Sequence, residues 1–255
     1  MTKTWLSNPL TYGLDLDDPR TARIRQQVVL GNGFLRRVYL EWYADLKSAV
    51  KDMDGEMVEI GSAGGFLDSL IPGLHTSDIF FHPDSHIALD AQHLPFADGS
   101  LKAVFMTNVM HHIPDNRLFF AEAARCTRKG GSIAMIEPWC TPWSTFVYNV
   151  LHHEPFDPRV KSWELDYRGP LTTANDALPW IIFGRDRAQF EEEFPEWKIV
   201  TIKLTMPFRY LVSGGVSLRQ LMPEWSFPLW VFFEKLLTPL EKLLAMFAFI
   251  KLERQ

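Results

Sequence analysis

At Met57-Val58-Glu59-Ile60-Gly61-Ser62-Ala63-Gly64-Gly65, a short apolar run passes into a loop of small residues. Val58 and Ile60 are typical of the end of a buried strand. The glycines allow the backbone to turn sharply and to approach a ligand, because they carry no Cβ atom. Phe66–Leu70 then predicts the start of a helix of about ten residues. Strand, glycine loop and helix together predict a nucleotide-like ligand at the carboxyl edge of a parallel sheet. For this segment alone, a tight turn without a ligand is an equal alternative.

The composition is that of a globular protein with a sizeable core. The chain has 255 residues, 47% of them hydrophobic, and a formal net charge of -5. This size fits one large α/β domain, so we predict a single domain over residues 1–255. A pI near 5.9 indicates that the chain is no general nucleic-acid binder, because such proteins are basic.

The cysteine content and the apolar runs bear on location. Cys126 and Cys140 are too few for a disulfide framework or a zinc set, and are typical of buried thiols in a reducing compartment. The sequence lacks a basic start followed by an apolar stretch, and it has no run of about 18 apolar residues. We therefore expect neither a secretion signal nor a transmembrane helix, and a cytoplasmic location.

The part of the chain before the glycine loop has a helical pattern. We predict an arm over residues 1–18 and two helices within residues 19–51, with a break at Gly31-Asn32-Gly33. In the second helix, apolar residues such as Phe34, Val38 and Trp42 recur at about four-residue spacing. These helices either pack on the sheet or form a lid over the ligand.

Further apolar segments alternate with a helical one. The predicted elements are a second strand over Leu74–Phe80, a third at Ile87–Asp90, a fourth over Leu101–Asn108, a helix over Asn116–Cys126 and a fifth strand over Ser132–Ile136. Such alternation predicts a parallel sheet with right-handed crossovers.

An acid follows at the end of the second predicted strand. Asp78 lies 17 residues after Gly61, near the distance at which an acid reaches the ribose of a bound nucleoside. A carboxylate suits a ribose because it accepts hydrogen bonds from two neighbouring hydroxyls. A surface aspartate at a strand end is the alternative.

Four segments share the order and spacing of one enzyme family: Val58–Gly65, Asp90-Ala91-Gln92-His93-Leu94-Pro95-Phe96, Asn108-Val109-Met110-His111-His112-Ile113-Pro114-Asp115 and Arg128–Gly131. On these motifs, the block Val58–Trp139 resembles the core of class I S-adenosylmethionine-dependent methyltransferases, of the methyltransferase type 11-like kind. The block covers about a third of the chain.

The resemblance implies that residues around the glycine loop hold the methionine part of S-adenosylmethionine. Glu59 stands where the family's acid holds the methionine amino group, directly or through water. Gly61, Ser62 and Gly65 would offer their backbone to the same part of the cofactor, whose product is S-adenosylhomocysteine.

The resemblance also assigns the nucleoside and sulfonium sides. Asp78 would accept the ribose hydroxyls, and Asp90 with Ala91 would recognise the adenine edge. Asn108 and Val109 would line the sulfonium side.

Two features depart from the family pattern. Ala63 replaces the middle glycine of the loop. Only 11 residues separate Asp78 from Asp90, which is too short for the helix that the family usually places there. That face of the sheet is therefore open or covered by other residues, and Asp84 is an alternative ribose acid.

Two stretches outside the compact core are predicted to be cap insertions, over residues 140–185 and 210–244. Between and after them we predict a helix at Asp186–Phe194 and two edge strands, Lys198–Met206 and Ala245–Leu252. Ser217–Met222 is predicted as a helical turn. The predicted fold class is α/β: a Rossmann-like, seven-stranded, mostly parallel sheet with an antiparallel last strand, helices on both faces and a cap.

The segment Trp225–Leu244 is too apolar for a purely solvent-facing connection. It either packs on the core as a cap or forms an interfacial surface that touches lipid or a lipid-linked substrate. The second reading predicts a peripheral membrane contact through residues 225–244.

Histidines are the candidate bases if the methyl acceptor is a hydroxyl. We place His111, after the fourth strand, and His153, in the insertion, in the catalytic role; His112 and His152 are further candidates. Glu137, just past the fifth strand, would contact the acceptor or a histidine. No metal is predicted, because adjacent histidines are expected to point apart and no third ligand cluster is evident.

The predicted function is methyl transfer from S-adenosylmethionine to a small-molecule acceptor, glycan- or lipid-linked, with no nucleic-acid partner. The alternative is a non-catalytic module of the same fold that binds the cofactor and serves as a partner or regulatory subunit. An NAD-type oxidoreductase is disfavoured, because the loop is not G-x-G-x-x-G and a second dinucleotide-binding half is absent from the sequence.

Overall fold

The computed structural model describes residues 5–62, 64–81, 85–152 and 154–255. Its centre is a seven-stranded sheet in the order β3-β2-β1-β4-β5-β7-β6. The strands are β1 Glu56–Ile60, β2 Leu74–Asp78, β3 Ile87–Ala88, β4 Leu101–Thr107, β5 Thr127–Pro138, β6 Trp197–Thr205 and β7 Phe247–Arg254.

Strands β1 to β5 pair in parallel, and β7 runs antiparallel to both of its neighbours, β5 and β6. The predicted fold class is therefore confirmed, including the antiparallel last strand. Residues 103–106 of β4 and 131–138 of β5 are buried, as expected for strands covered on both faces. Parallel strands bring their carboxyl ends to one edge, so the loops after β1, β2, β3 and β4 meet there.

Helices surround the sheet. They are α1 Arg20–Gly31, α2 Gly33–Ser48, α3 Asn116–Cys126, α4 Pro142–Leu151, α5 Leu178–Trp180, α6 Arg187–Glu193, α7 Arg209–Ser213, α8 Phe227–Leu236 and α9 Glu241–Leu244, with 3₁₀ turns at Leu67–Ser69, Met110–His112, Glu224–Ser226 and Thr238–Leu240 and a π-helical turn at Ile181–Arg185. Across the ranges described, no helix is both long and apolar enough to cross a membrane.

The predicted break between the first two helices is confirmed at Asn32. Its side-chain oxygen accepts a hydrogen bond from the backbone N–H of Leu35, which caps the start of α2. The apolar face of α2 is fully buried, including Phe34, Val38 and Trp42. Trp42 packs against Phe247 of β7 with ring centroids 5.0 Å apart, so α2 lies on the sheet.

The helix of about ten residues predicted after the glycine loop is wrong. A single 3₁₀ turn, Leu67–Ser69, stands in its place. Phe66 is non-helical, with φ −151°, and its N–H donates to the Tyr43 hydroxyl. Because Phe66 is not helical, only the five residues 67–71 remain before Pro72-Gly73, which are too few for a longer helix.

Two further local predictions need correction. The third strand is shorter than Ile87–Asp90, because only Ile87–Ala88 pairs with β2. The helical turn predicted at Ser217–Met222 is absent from those residues; the turn of helix lies earlier, at α7, which ends at Gly214 in the left-handed conformation. Between β2 and β3 the described residues contain no helix, as the short spacing predicts. Ala63 and the alternative acid Asp84 lie outside the described residues.

An N-terminal arm, residues 5–18, joins the two cap insertions. The Asp17 carboxylate accepts hydrogen bonds from the N–H of Leu171 (2.7 Å) and the hydroxyl of Thr172 (2.8 Å), in the first insertion. The N–H of Asn8 donates to the carbonyl of Ser217 (3.0 Å) in the second insertion. The arm therefore holds both insertions over the carboxyl edge of the sheet.

Candidate active site

A cavity of about 580 Å³ opens at the carboxyl edge of the sheet. Gly61, Asp78, Asp90 and Asn108, which end or follow β1, β2, β3 and β4, all line it. Ala91, Val109 and His111 are also in its wall. Six of the nine predicted cofactor residues thus meet in one space, together with one predicted catalytic histidine.

The glycine loop approaches this cavity closely. Gly61 has φ +67°, and a Cβ built on it would lie 2.5 Å from Cγ2 of Val109. The next residues turn inward: the N–H of Ser62 donates to the carbonyl of Ser77 (2.8 Å), and that of Gly65 to the carbonyl of Ser62 (2.9 Å). Ser62 and Gly65 therefore lie behind the wall, with these amides already bonded within the protein.

Glu59 is a buried acid beneath the loop. It is 2% exposed, and its Oε2 atom has no hydrogen-bond partner among the described residues. Burial, with a smaller contribution from the charge of Asp68, raises the pKa of Glu59 to about 8. An unpaired buried carboxyl is costly. A cationic group bound at the loop, such as the amino group of a methionine moiety, would supply its missing partner.

The acids after β2 and β3 shape their own turns. Asp78 is buried and accepts from the N–H of Phe80 at 3.2 Å. Asp90 accepts from the N–H of Gln92 at 2.9 Å and from its side-chain amide at 3.2 Å. Both side chains are thus held in defined positions beside the cavity.

Asn108 stands in a strained backbone conformation at the end of β4. Its φ is 56°, in the left-handed region that asparagine tolerates better than most residues. Its side-chain oxygen is buried and has no hydrogen-bond partner within the described parts of the chain. Asn108 offers this atom in the cavity wall and Glu59 offers another beneath the glycine loop, so these two residues fit the polar groups of S-adenosylmethionine.

His111 is the best-anchored histidine of the site. Its Nδ1 lies 2.7 Å from Oε2 of Glu137, and because a carboxylate only accepts, Nδ1 is the donor. Burial opposes a charge on His111, but the hydrogen bond and charge of Glu137, with those of Glu154 and Asp176, outweigh it and raise the pKa of His111. The predicted contact between Glu137 and a histidine is thus present.

Beyond His111, acids and histidines from the first insertion close the far side of the cavity. Nε2 of His111 lies 3.4 Å from Oδ1 of Asp176 and 3.7 Å from Oε2 of Glu154. Nδ1 of His152 lies 3.3 Å from Oδ2 of Asp176, and Nε2 of His112 lies 3.9 Å from Oε2 of Glu154. Burial raises the pKa of Asp176, whereas burial together with the charge of His111 lowers the pKa of His112 to about 4. The predicted catalytic residue His153 lies outside the described residues.

Several cavity residues were not predicted. Arg25 of α1 and Tyr39 of α2 line it, so these helices contribute to the cavity wall as well as packing on the sheet. Asp176, Tyr148 and Tyr210 line the opposite side. The periodicity of α2 locates Tyr39 only as a core position, and no local motif marks Asp176.

Comparison with known proteins supports the same class. Residues 31–135 match the family described as "Methyltransferase domain". An uncharacterized methyltransferase of Mycobacterium sp. strain JLS is 28% identical over 142 residues, which cover 50% of this chain and 55% of that protein. The chain thus spans about half the length of the curated relatives it matches.

Solved structures share the fold. The geranyl diphosphate C-methyltransferase of Streptomyces coelicolor A3(2), in complex with Mg2+, geranyl diphosphate and S-adenosyl-L-homocysteine, has a TM-score of 0.52 at 11% identity, covering 94% of this chain and 87% of that one. A geranyl diphosphate methyltransferase in complex with GPP and sinefungin has a TM-score of 0.51 at 10% identity, covering 87% and 79%. At these identities the likeness concerns the fold.

A Rossmann-like sheet with an antiparallel last strand, and a glycine loop and two acids at its carboxyl edge, defines a class I transferase fold. Over residues 31–135 the chain matches the methyltransferase domain family, and the fold and the site support a class I S-adenosylmethionine-dependent methyltransferase. The cofactor of this family is S-adenosylmethionine.

Proposed function

We propose that this chain transfers a methyl group from S-adenosylmethionine to a small-molecule acceptor held beside His111. The observation that carries the proposal is the meeting of four consecutive strand ends in one cavity, which continues past His111 to the insertion. The bound cofactor supplies an electrophilic methyl group on its sulfonium. The chain has to orient an acceptor towards it and exclude water.

One half of the cavity would bind S-adenosylmethionine through charged side chains and through the backbone of the glycine loop. Glu59 would receive the amino group of the methionine moiety, since its carboxyl lacks a partner. Asp78 and Asp90 would receive the ribose and the adenine edge, and Asn108 lies on the sulfonium side. Gly61 lets the glycine loop approach Val109 at the edge of the cavity, where a Cβ would clash with the Val109 side chain.

The acceptor half combines an apolar wall with the histidine cluster. Val147, Tyr148 and Leu151 of α4 line it, as do Leu211 and Val216 of the second insertion. This lining favours an apolar acceptor, such as a lipid-linked compound, over a free glycan. A hydroxyl on it would lie beside the His111–Asp176 pair, where Nε2 and Oδ1 lie 3.4 Å apart, and would give its proton to the deprotonated form of this pair.

An exposed apolar patch supports a lipid source for the acceptor. The patch consists of Trp225, Leu229, Phe232, Phe233, Leu236, Leu240 and Leu243 from residues 225–244, with Phe146, Val150 and Leu151 of α4. Ring contacts join its two parts. Trp143 packs on Phe146 and on Phe208, with ring centroids 6.0 and 5.5 Å apart, and Phe208 packs on Phe233 with centroids 5.9 Å apart. Leu151 belongs to both the patch and the cavity wall. We propose that the patch lies on a membrane surface and that the acceptor enters past α4.

Liposome flotation tests the membrane contact. Wild-type protein should float with neutral and with anionic vesicles, and Leu229→Ser/Phe232→Ser should stay at the bottom of the gradient. Leu118→Ser is the matched control, because Leu118 is also exposed but belongs to α3. Failure of the wild type to float at low salt overturns the membrane proposal and leaves methyl transfer intact.

Calorimetry tests the proposed activity. Wild type should bind S-adenosylmethionine and S-adenosylhomocysteine, and Asp90→Ala should bind each at least about tenfold more weakly, as expected for losing a charge-assisted hydrogen bond. Asp52→Ala, an exposed aspartate away from the cavity, is the control. Release of S-adenosylhomocysteine with a panel of apolar hydroxyl and phenol acceptors would then show turnover. Binding without turnover across the panel supports the non-catalytic module instead, and absence of binding removes both.

A further inference from the structure

We propose that the acceptor side of the cavity is a binding site for a divalent first-row transition metal, held by His111, His112, Glu154 and Asp176. These side chains come from two separate parts of the chain, the 3₁₀ turn Met110–His112 after β4 and the first insertion. All four line the cavity. The metal site does not depend on methyl transfer; when a metal occupies it, Nε2 of His111 and the Asp176 carboxylate bind the ion and are not available to accept a proton from the acceptor.

The spacing of the ligand atoms suits a bound cation. One ligand atom each from His111, His112 and Glu154 lie within 4.8 Å of one another, and so do those of His152, Glu154 and Asp176. Atoms bound about 2.1 Å from a metal lie roughly 3 to 4.2 Å apart, according to the angle between them. The individual separations are 3.4 Å from His111 to Asp176, 3.7 Å from His111 to Glu154 and 3.9 Å from His112 to Glu154. The last two exceed a direct hydrogen bond but match the spacing across a metal.

The two histidines are oriented as metal-binding histidines are. Nδ1 of His111 is held by Glu137 at 2.7 Å, and Nδ1 of His112 is held by the carbonyl oxygen of Thr173 at 2.9 Å. Each partner accepts a hydrogen bond from Nδ1–H, which directs Nε2 towards Glu154 and makes the Nε2 lone pair of the neutral ring available to a metal. Although adjacent in sequence, the rings lie 4.3 Å apart, because both stand on one 3₁₀ turn.

Asp176 is the independent observation, because among the residues that the structure describes it is buried without a hydrogen bond of ordinary geometry, although His111 and His152 lie 3.4 and 3.3 Å from its oxygens. Its side chain is 1% exposed, and neither carboxylate oxygen has a hydrogen-bond partner within the described ranges. Glu137 is fully buried and Glu154 is 11% exposed, so three carboxyl groups share one shielded region. The histidines balance part of this charge, and a bound dication would balance the rest.

The donor set favours particular metals. Two imidazole nitrogens and two carboxylates suit Mn2+, Fe2+ or Zn2+, whereas Mg2+ prefers oxygen ligands alone. His152, whose Nδ1 lies 3.3 Å from Asp176, would be a further ligand or would anchor that carboxylate. An oxygen of the acceptor could take a remaining coordination position, since the cluster faces the cavity.

Manganese binding to the full chain tests the site directly. Protein dialysed against EDTA and then into metal-free buffer is titrated with Mn2+, and the free ion is followed by its electron paramagnetic resonance signal. We expect one Mn2+ bound per chain, and at least about tenfold weaker binding in Asp176→Asn and in Glu154→Gln. Mg2+ should not displace Mn2+ at equal concentration.

The control separates this site from any exposed pair of histidine and carboxylate. His75 and Glu56 form such a pair at 4.0 Å on the surface, so His75→Gln/Glu56→Gln should leave Mn2+ binding unchanged. Circular dichroism checks that each variant is folded. If a variant unfolds, the visible bands of Co2+ bound to wild type report directly whether imidazole and carboxylate coordinate the metal.

Two results would overturn the proposal: no stoichiometric Mn2+ or Co2+ binding, or unchanged Mn2+ affinity in folded Asp176→Asn and Glu154→Gln. Either result would mean that these histidines and carboxyl groups bind only protons and no metal ion. S-adenosylmethionine binding is measured on the same samples. A chain that binds cofactor but not Mn2+ therefore refutes the metal site without touching the proposed methyl transfer.

Discussion

Glu137, at the end of β5, holds His111, in the loop after β4, through a 2.7 Å hydrogen bond between Oε2 and Nδ1. The other oxygen of Glu137 accepts from the backbone N–H groups of Val109 (2.9 Å) and Met110 (2.8 Å). One fully buried carboxylate thus fixes both the ring of His111 and the backbone turn that carries it. The neighbouring strand provides the anchor, so the geometry of the site depends on the pairing of β4 with β5.

Replacing this anchor should have two separable effects. Glu137→Gln retains one oxygen for the two backbone N–H groups but turns an amide N–H towards Nδ1 of His111. We expect a loss of about 1–3 kcal/mol in the free energy of unfolding, since a buried charged hydrogen bond is lost. We also expect the neutral tautomer of His111 to carry its proton on Nε2. Urea unfolding measures the first effect and long-range ¹H–¹⁵N spectra of the histidines the second. Glu192→Gln, an exposed control, should change the unfolding free energy by less than about 0.5 kcal/mol.

Gly61 is predicted to need both its backbone conformation and its missing side chain. Gly61→Ala would meet Val109 at 2.5 Å, whereas Gly99→Ala, at a similar φ of +62°, would meet nothing within 4 Å. Gly99→Ala should therefore lose about 1–2 kcal/mol of stability from backbone strain alone. Gly61→Ala should lose about 1–3 kcal/mol more through overpacking, and bind S-adenosylmethionine more weakly.

A second substitution checks the cause of that excess. In urea unfolding, the double variant Gly61→Ala/Val109→Ala should be more stable than Gly61→Ala and should lose about as much unfolding free energy as Gly99→Ala. The clash with Val109 is then removed, while the backbone strain remains. If Gly61→Ala and Gly99→Ala lose the same unfolding free energy, the Val109 side chain moves aside without a measurable loss of stability.

Glu59 should make the stability of the cofactor-free protein depend on pH. Its pKa is about 8 when folded, against an ordinary 4.5, because burial disfavours the charged form. Between these values the folded state binds more protons than the unfolded state, so its stability falls as pH rises through this window. The slope attributable to Glu59 is at most about 1.4 kcal/mol per pH unit.

Glu59→Gln isolates this contribution. The difference in unfolding free energy between wild type and Glu59→Gln, measured in urea at pH 5 to 8, should shift steadily in favour of the variant as pH rises. Saturating S-adenosylmethionine should reduce the shift, because its amino group favours the charged carboxylate. A difference that stays constant with pH would mean that Glu59 already has a partner.

Asn32 joins α2 to the second insertion. Its side-chain oxygen accepts from the N–H of Leu35 and its amide nitrogen donates to the carbonyl of Ser213, each at 2.9 Å. Asn32→Ala loses both bonds and should cost about 1–2 kcal/mol. Asn32→Asp keeps the cap but loses the donor. Hydrogen exchange should therefore quicken at residues 211–215 in both variants, and at residues 34–36 in the alanine variant alone.

Much of the fold is predictable because periodicity and turn residues act locally. The four-residue spacing in α2, the strand at Leu101–Thr107 and the helix at Asn116–Cys126 need only their own apolar pattern and, for α3, the cap by Asp115. The helix expected after the glycine loop fails because Tyr43, from a different element, binds the backbone of Phe66. Propensity cannot register such a tertiary contact.

The site divides in the same way. The positions at strand ends are set by topology, so Gly61, Asp78, Asp90 and Asn108 meet as the motif spacing predicts. Asp176 lies 65 residues beyond His111 in an insertion without regular pattern, and it reaches the cavity only through the path of that insertion. The same path brings His152 and Glu154 close to Asp176, which no local sequence pattern predicts.

The short arm of residues 5–18 binds both insertions, through Asp17 on one side and Asn8 on the other. A protease cut between the arm and α1 would therefore loosen two coverings at once, although they are far apart in sequence, while the sheet keeps its own pairing. The cleaved protein would keep its folded sheet, but bulk water would enter the cavity, from which the proposed methyl transfer has to exclude it. A tag or fusion attached near this arm would loosen the two insertions in the same way.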